Sequence, residues 1–251
     1  MKLWQNFKKI WIICLTGGCV AYTPPSNYVY EEISTPQFQL ASWQKIEKPG
    51  APLTVYIEGD GYAFNYEGRA SRNPTPRTTT MRDLAFRDQD ANVAYLARPC
   101  QYVSDEKCHK KYWTTGRFAP EVIVAEAEAV RHLQKKSGSK EVILVGYSGG
   151  AMVAGLIAVQ NTDIKVKKLI TIAGLLEHRR WAQYHQVAPL DDSLDLSDYS
   201  SELAKIPQVH FLGEQDKIIP VKLSPVKEQA IVVSGANHGS GWDKLDLSEY
   251  K

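Results

Sequence analysis

The chain has 251 residues, 43% hydrophobic and 23% charged, with 30 basic side chains against 28 acidic ones. That is ordinary globular material of single-domain length, with a core large enough to stand without stapling and no repeat or low-complexity tract. No basic patch argues for a nucleic-acid partner, and P-loop, Rossmann and zinc-ligand spacings are absent, so neither cofactor nor metal is expected.

The first residues do not belong to that domain. Lys2, Lys8 and Lys9 form a basic stretch, and residues 10–15 are an apolar core too short to span a bilayer. Thr16-Gly17-Gly18 supplies small residues before Cys19. The segment 1–19 resembles a bacterial lipoprotein signal, which implies cleavage, lipidation of Cys19 and a product anchored to a membrane of the cell envelope. It departs from the usual pattern at Thr16, where an aliphatic residue normally stands, and a plain signal peptide releasing a periplasmic protein is the alternative. Cleavage removes three of the 30 basic residues and leaves 27 against 28 acidic. Residues 20–36, with Pro24-Pro25, read as a tether, and the folded domain is expected from 37 to 251.

Along that domain apolar runs of strand length alternate with helical stretches. Strands are expected at 38–46, 53–58, 92–97, 141–146, 168–173, 208–213 and 229–234, and helices at 79–88, 120–135 and 149–160. A Pro-rich loop occupies 72–77. Alternation of this kind means a mostly parallel sheet covered by helices on both faces. Active sites in such sheets lie beyond the carboxyl ends of the strands. Between strands, Cys100 and Cys108 are the only cysteines outside the signal. Eight residues apart in a polar loop of an exported protein, they should form a disulfide. Arg98 could face a pocket, but a structural ion pair is the expected role.

The most informative stretch is Gly146-Tyr147-Ser148-Gly149-Gly150. A β-branched apolar run precedes it and an apolar helix follows. A Gly-x-Ser-x-Gly between strand and helix is the nucleophile elbow of the α/β-hydrolases: a strained, sharp turn that exposes the serine hydroxyl. Gly146, Gly150 and Ala151 are small because strand and helix nearly touch there. Serine needs a base, itself oriented by an acid, and in this fold the partners follow it in the order acid, then histidine. Of six histidines, His109 and His132 precede Ser148, and His178, His185 and His210 precede the best acid. His238 remains, glycine-flanked after an apolar run. The acid is read as Asp216, in the loop after strand 208–213, with Glu214 as the nearest competitor and Asp191, Asp192 and Asp195 more distant. An oxyanion hole needs two backbone N–H groups. Gly149 should give one, and the loop Glu58-Gly59-Asp60-Gly61 the other, through Asp60 or Gly61.

Here the chain is identified as resembling the α/β-hydrolase superfamily from about residue 37 onward. Within it the chain is similar to a group of uncharacterised bacterial exported, lipoprotein-like serine hydrolases. The matching strings are Tyr56-Ile57-Glu58-Gly59-Asp60-Gly61, Ala97-Arg98-Pro99-Cys100-Gln101-Tyr102, Tyr112-Trp113-Thr114 with Arg117-Phe118, the elbow, and His238-Gly239-Ser240-Gly241-Trp242. The resemblance implies the fold and the Ser148, Asp216, His238 triad, and little about substrate. Many relatives carry His-Gly where Glu58-Gly59 stand here. The segment 174–206, with Trp181 and Tyr184, is the place for a small lid, too short for a cap domain. The function expected is hydrolysis of an acyl bond, an ester first, on a small-molecule or lipid substrate. The alternative, kept open by the absent His-Gly, is a membrane-anchored binding or envelope-structural protein on the same scaffold.

Overall fold

A computed structural model describes residues 24–251. Eight strands form one sheet: β1 (Val29–Ser34), β2 (Gln39–Ile46), β3 (Leu53–Ile57), β4 (Asn92–Leu96), β5 (Val142–Tyr147), β6 (Val166–Ile172), β7 (Gln208–Gly213) and β8 (Ile231–Val233). Their order across the sheet is β1-β2-β4-β3-β5-β6-β7-β8, with β2 antiparallel to both its neighbours β1 and β4 and every other pair parallel. The helices are α1 (Thr80–Arg87), α2 (Pro120–Ser137), α3 (Gly149–Gln160), α4 (His178–His185) and the single turn α5 (Ser200–Leu203). This is the α/β-hydrolase fold expected from the sequence, with every anticipated strand and helix present to within a few residues.

The central strands β3, β4 and β5 are buried along their whole length. Strands covered on both faces have no reason to alternate, which is why they read as continuous apolar runs. Helix α2 begins at Pro120, whose missing N–H is no loss at a helix start, and ends at Gly138 in the left-handed region (φ 65°). Its Val122, Ile123, Val130 and Leu133 enter the same core as Leu53, Val55 and Leu144. Burial of this kind contributes about 1.5–3 kcal/mol for each large aliphatic side chain.

One boundary differs from the sequence reading. Residues 29–34, placed in the tether, form the edge strand β1, paired to β2 from Val29–Gln44 to Ser34–Gln39. Only Ile33 of the strand is buried, and Glu31 and Glu32 interrupt the apolar pattern. The strand is held by contacts that no local pattern records. Glu31 pairs with His132 and Lys136 of α2 at 2.8 and 2.7 Å, and the Tyr28 hydroxyl donates to the Ala85 carbonyl at 2.7 Å. Residues 1–19, expected to be a signal, and Cys19 with them lie outside the described residues.

Candidate active site

Ser148 stands between β5 and α3 with φ 52° and ψ −122°, a conformation an L-residue adopts only under constraint. Two close approaches set it up. A methyl group on Gly146 would lie 2.5 Å from Ala151 Cα, and one on Gly150 would lie 2.4 Å from the Ile57 carbonyl oxygen. No side chain fits either gap, so the elbow needs glycine at both places. Around the bend the Ser148 N–H donates to the Ile172 carbonyl at 3.0 Å, and its carbonyl accepts from Leu175 at 2.9 Å.

His238 arrives on the loop after β8 and Asp216 on the loop after β7. His238 Nε2 lies 2.9 Å from Ser148 Oγ, and Nδ1 lies 2.8 Å from Asp216 Oδ2. The other carboxylate oxygen of Asp216 accepts from the Ile218 and Ile219 amides, each at 2.8 Å. Burial pushes the Asp216 carboxyl up, but the hydrogen bond and charge of His238 together with those two amides outweigh it and hold its pKa below the ordinary value. The aspartate is therefore ionised at neutral pH. It accepts a hydrogen bond from the Nδ1–H, leaving Nε2 free to accept from the serine hydroxyl. Trp242, fully buried, donates through Nε1 to the Asn237 carbonyl at 3.0 Å and so pins the histidine turn. Tyr147 lays its ring 5.5 Å from the imidazole centroid.

The loop after β3 lies against the elbow. Gly59 packs on Ser148, where an added methyl would sit 3.2 Å from the serine Cβ, but its N–H is engaged by the Glu58 carboxylate at 2.9 Å. The next amide, that of Asp60, donates to no protein acceptor among the described residues. The Asp60 carboxylate touches Gly149, so closely that a methyl there would lie 2.1 Å from Oδ1. Gly61 turns away, packed against the Pro74 carbonyl and Gln101.

Asp60 would place negative charge beside Gly149 were it not countered. Arg117 Nη1 holds Asp60 Oδ2 at 2.6 Å and Arg98 Nη1 lies 3.7 Å from Oδ1. Arg98, buried, also pairs with the fully buried Glu126 of α2 at 3.2 Å. Burial pushes the Glu126 carboxyl up to about 8, against the pull of Arg98. Glu58 is likewise buried and raised by desolvation; Tyr95 donates to it at 2.7 Å. Arg98 is thus a structural ion-pair residue, as expected. Sequence reading did not assign roles to Arg117, Glu126 or Tyr95. The only available signal was Arg117 within a matching string; nothing local marks Glu126 in an apolar helix face.

The competing candidates lie elsewhere. Glu214 accepts from Ser234 and Gly235, both at 2.9 Å. Asp192 accepts from Thr115. Asp195 starts a 3-10 turn and faces His178 at 3.6 Å. Asp191 is exposed. His210 sits within β7, between Thr171 Oγ1 at 2.8 Å and Gln208 Oε1 at 2.9 Å. Cys100 and Cys108 are disulfide-bonded, beside Trp113 and Ala63. In the expected lid, Trp181 packs on the core and donates to the Ile218 carbonyl at 2.9 Å, while Tyr184 is exposed.

Solved structures resemble this one at low identity. An α-β serine hydrolase homologue from Coxiella burnetii is 16% identical, covering 87% of this chain and 91% of its own, with a TM-score of 0.53. Est1E from Butyrivibrio proteoclasticus is 14% identical, covering 86% and 92%, with a TM-score of 0.56. The Pyrococcus furiosus esterase Pf2001 is 18% identical, covering 86% of each chain, with a TM-score of 0.58. At such identities the likeness establishes the fold. No curated protein matches the sequence. A family model described as "Serine hydrolase (FSH1)" matches residues 74–231, more than half of the chain and a span containing both Ser148 and Asp216. The chain belongs to that serine hydrolase family.

Proposed function

We propose that the protein is a serine esterase acting on a small-molecule acyl ester through Ser148, His238 and Asp216. The observation that carries the reading is the hydrogen-bonded series from Ser148 Oγ through the imidazole to Asp216, built on a nucleophile held at positive φ. As Ser148 Oγ bonds to the acyl carbon, its proton passes to His238 Nε2. The carbonyl oxygen becomes an oxyanion that accepts from the Gly149 amide and, in this reading, the Asp60 amide. Asp60 is preferred to Gly61 because it follows directly on the residue that packs against Ser148. The tetrahedral carbon then expels the alcohol, which takes the proton from Nε2. Water, deprotonated by the same nitrogen, cleaves the acyl-enzyme and regenerates Ser148. Family membership supports the serine mechanism. The choice of an ester leans on fold neighbours that are named esterases, one of them Est1E with ferulic acid bound. A fluorophosphonate probe should label the wild type at Ser148 and leave Ser148→Ala unlabelled; folded wild-type protein that does not react would sink the proposal.

We also propose export, with Cys19 lipidated and the residues before β1 tethering the domain to a membrane. The Cys100–Cys108 bond suits an oxidising compartment. Expressed with its own N-terminus in a Gram-negative cell, the protein should fractionate with membranes and Cys19→Ser should not. Mass spectrometry of a mature N-terminus without acyl groups would leave a soluble periplasmic enzyme.

A further inference from the structure

The loop from β3 to α1 runs through residues 58–79, far longer than most connections in a compact domain. It is folded, not slack. The Ser71 amide donates to the Ala63 carbonyl and Asn65 to Arg69, both at 2.9 Å, making a short tongue, and the Tyr62 amide donates to Pro74 at 2.9 Å. Between this tongue, the Pro-rich stretch and the segment just past Cys108 lies an open cleft of about 500 Å³. Four cations line it, Arg69, Arg72, Arg77 and Lys110, and no carboxylate does. Glu67 pairs with Arg69 from outside the lining. Arg77 is fixed with its guanidinium 3.4 Å over the Tyr62 ring. Ser71 is also in the wall, buried, and its hydroxyl has no hydrogen-bond partner.

With Arg69 offset by Glu67, the exposed cations Arg72, Arg77 and Lys110 still make the cleft positive, and a buried hydroxyl without a partner costs free energy. Both terms are relieved by the same occupant, an oxyanion that accepts from guanidinium groups and a hydroxyl at once. The cleft is also close to the nucleophile. Gly59 touches Ser148, and Tyr62 follows three residues later, a reach of at most about 11 Å. All of its walls come from loops at the carboxyl ends of β3 and β4, the edge that carries Ser148.

We propose that this cleft is an anion subsite, and that the ester substrate carries a carboxylate or phosphate group bound by Arg72, Arg77 and Lys110. The inference rests on the esterase reading for its location beside the scissile bond, but the binding of an anion stands apart from turnover.

Three p-nitrophenyl esters of matched length test it, with charged ends about 11 Å from the scissile carbonyl to match that reach: the uncharged decanoate, the hydrogen decanedioate and the 9-phosphonononanoate. At low ionic strength kcat/KM for at least one charged ester should exceed that for the decanoate by about tenfold or more. Which charged ester is favoured tells carboxylate from phosphate. Arg72→Gln with Arg77→Gln should bring the ratio of charged to uncharged kcat/KM close to one, mainly through KM, and Lys110→Gln should lower it part of the way. The ratio is internal to each preparation, so partial misfolding depresses both esters and leaves it unmoved. No preference in the wild type, or a preference that survives the double substitution, overturns the subsite. If no ester is hydrolysed at all, the catalytic reading fails instead. The cleft is then tested by calorimetric titration with inorganic phosphate, which should bind the wild type and not the double variant; no binding to the wild type overturns it.

Discussion

The two flanks of Ser148 bury polar groups in opposite ways. On the β6–β8 flank the buried groups are neutral or few. His210 lies between a hydroxyl and an amide, and burial lowers its pKa from 6.5 to about 4, so it is uncharged at neutral pH. His178 is lowered in the same direction, by burial. The buried carboxylates of this flank are Asp216, satisfied by two amides and His238, and Asp195, which accepts from the Arg179 and Ser197 amides and faces His178. On the β3–β4 flank, the half-buried Asp60 and the buried Arg98, Arg117 and Glu126 form a chain of ionisable groups reaching from the elbow to α2, with Glu126 pushed toward its neutral form by burial. The first flank carries the groups proposed to move the proton, on loops that leave His238 partly open to solvent. The second holds a backbone loop rigidly against Gly149. Under the proposed mechanism, a site that must both move a proton and present fixed dipoles divides those tasks between a lightly bonded flank and a heavily cross-linked one.

The largest way to test that division is to remove the chemistry alone. Ser148→Ala and His238→Ala should each lower kcat on the order of a millionfold, because a triad acts as a unit. Their urea midpoints should stay near that of the wild type; an equally deep loss of stability would mean the lightly bonded flank is structural after all. Next is the charged chain. Arg98→Ala should cost about 1–3 kcal/mol by leaving the buried Glu126 carboxyl without its partner and Asp60 with Arg117 alone. Arg98→Met combined with Glu126→Leu should recover much of that, since two apolar groups need no partner. If Arg98→Ala unfolds no more easily than the wild type in urea, the chain is not what holds the loop.

A comparable effect should come from acid on the other flank. Between pH 6.5 and 4 the unfolded chain protonates His210 while the folded protein does not. The unfolded state then binds the extra proton, so stability falls as pH drops through that window, by up to about 3 kcal/mol. The His210 Cε1 proton resonance should stay at its neutral position to about pH 5; titration near 6.5 would contradict the buried neutral assignment. The smallest effect belongs to the Cys100–Cys108 bond, which closes a short loop. Reduction should cost about 2 kcal/mol and lower the melting temperature without unfolding the domain. It should loosen the segment bearing Lys110 and Trp113. An unchanged melting temperature after complete reduction, verified by alkylation, would remove the disulfide from this account.

Much of this was legible in the sequence because the chemistry is local. The Gly-x-Ser-x-Gly bend, the run of buried parallel strands and the single histidine standing after an acid loop are each visible in a few consecutive residues. The pairing of β1 was not, because an edge strand with one buried side chain carries no periodic signal; its partners Lys136 and His132 are a hundred residues away. The charged flank was hidden for the same reason in stronger form. Glu126 sits in an apolar helix face as an apparent misfit, and only the fold brings Arg98 to it and places Asp60 and Arg117 next in line. The basic cleft likewise joins residues of the tongue to Lys110 beyond the disulfide. Backbone strain and apolar patterning are properties of neighbours in the chain, so the sequence by itself determined the strands, the elbow and the order of Ser148, Asp216 and His238. Charge compensation and concavity are properties of neighbours in space, and only the tertiary structure decided them.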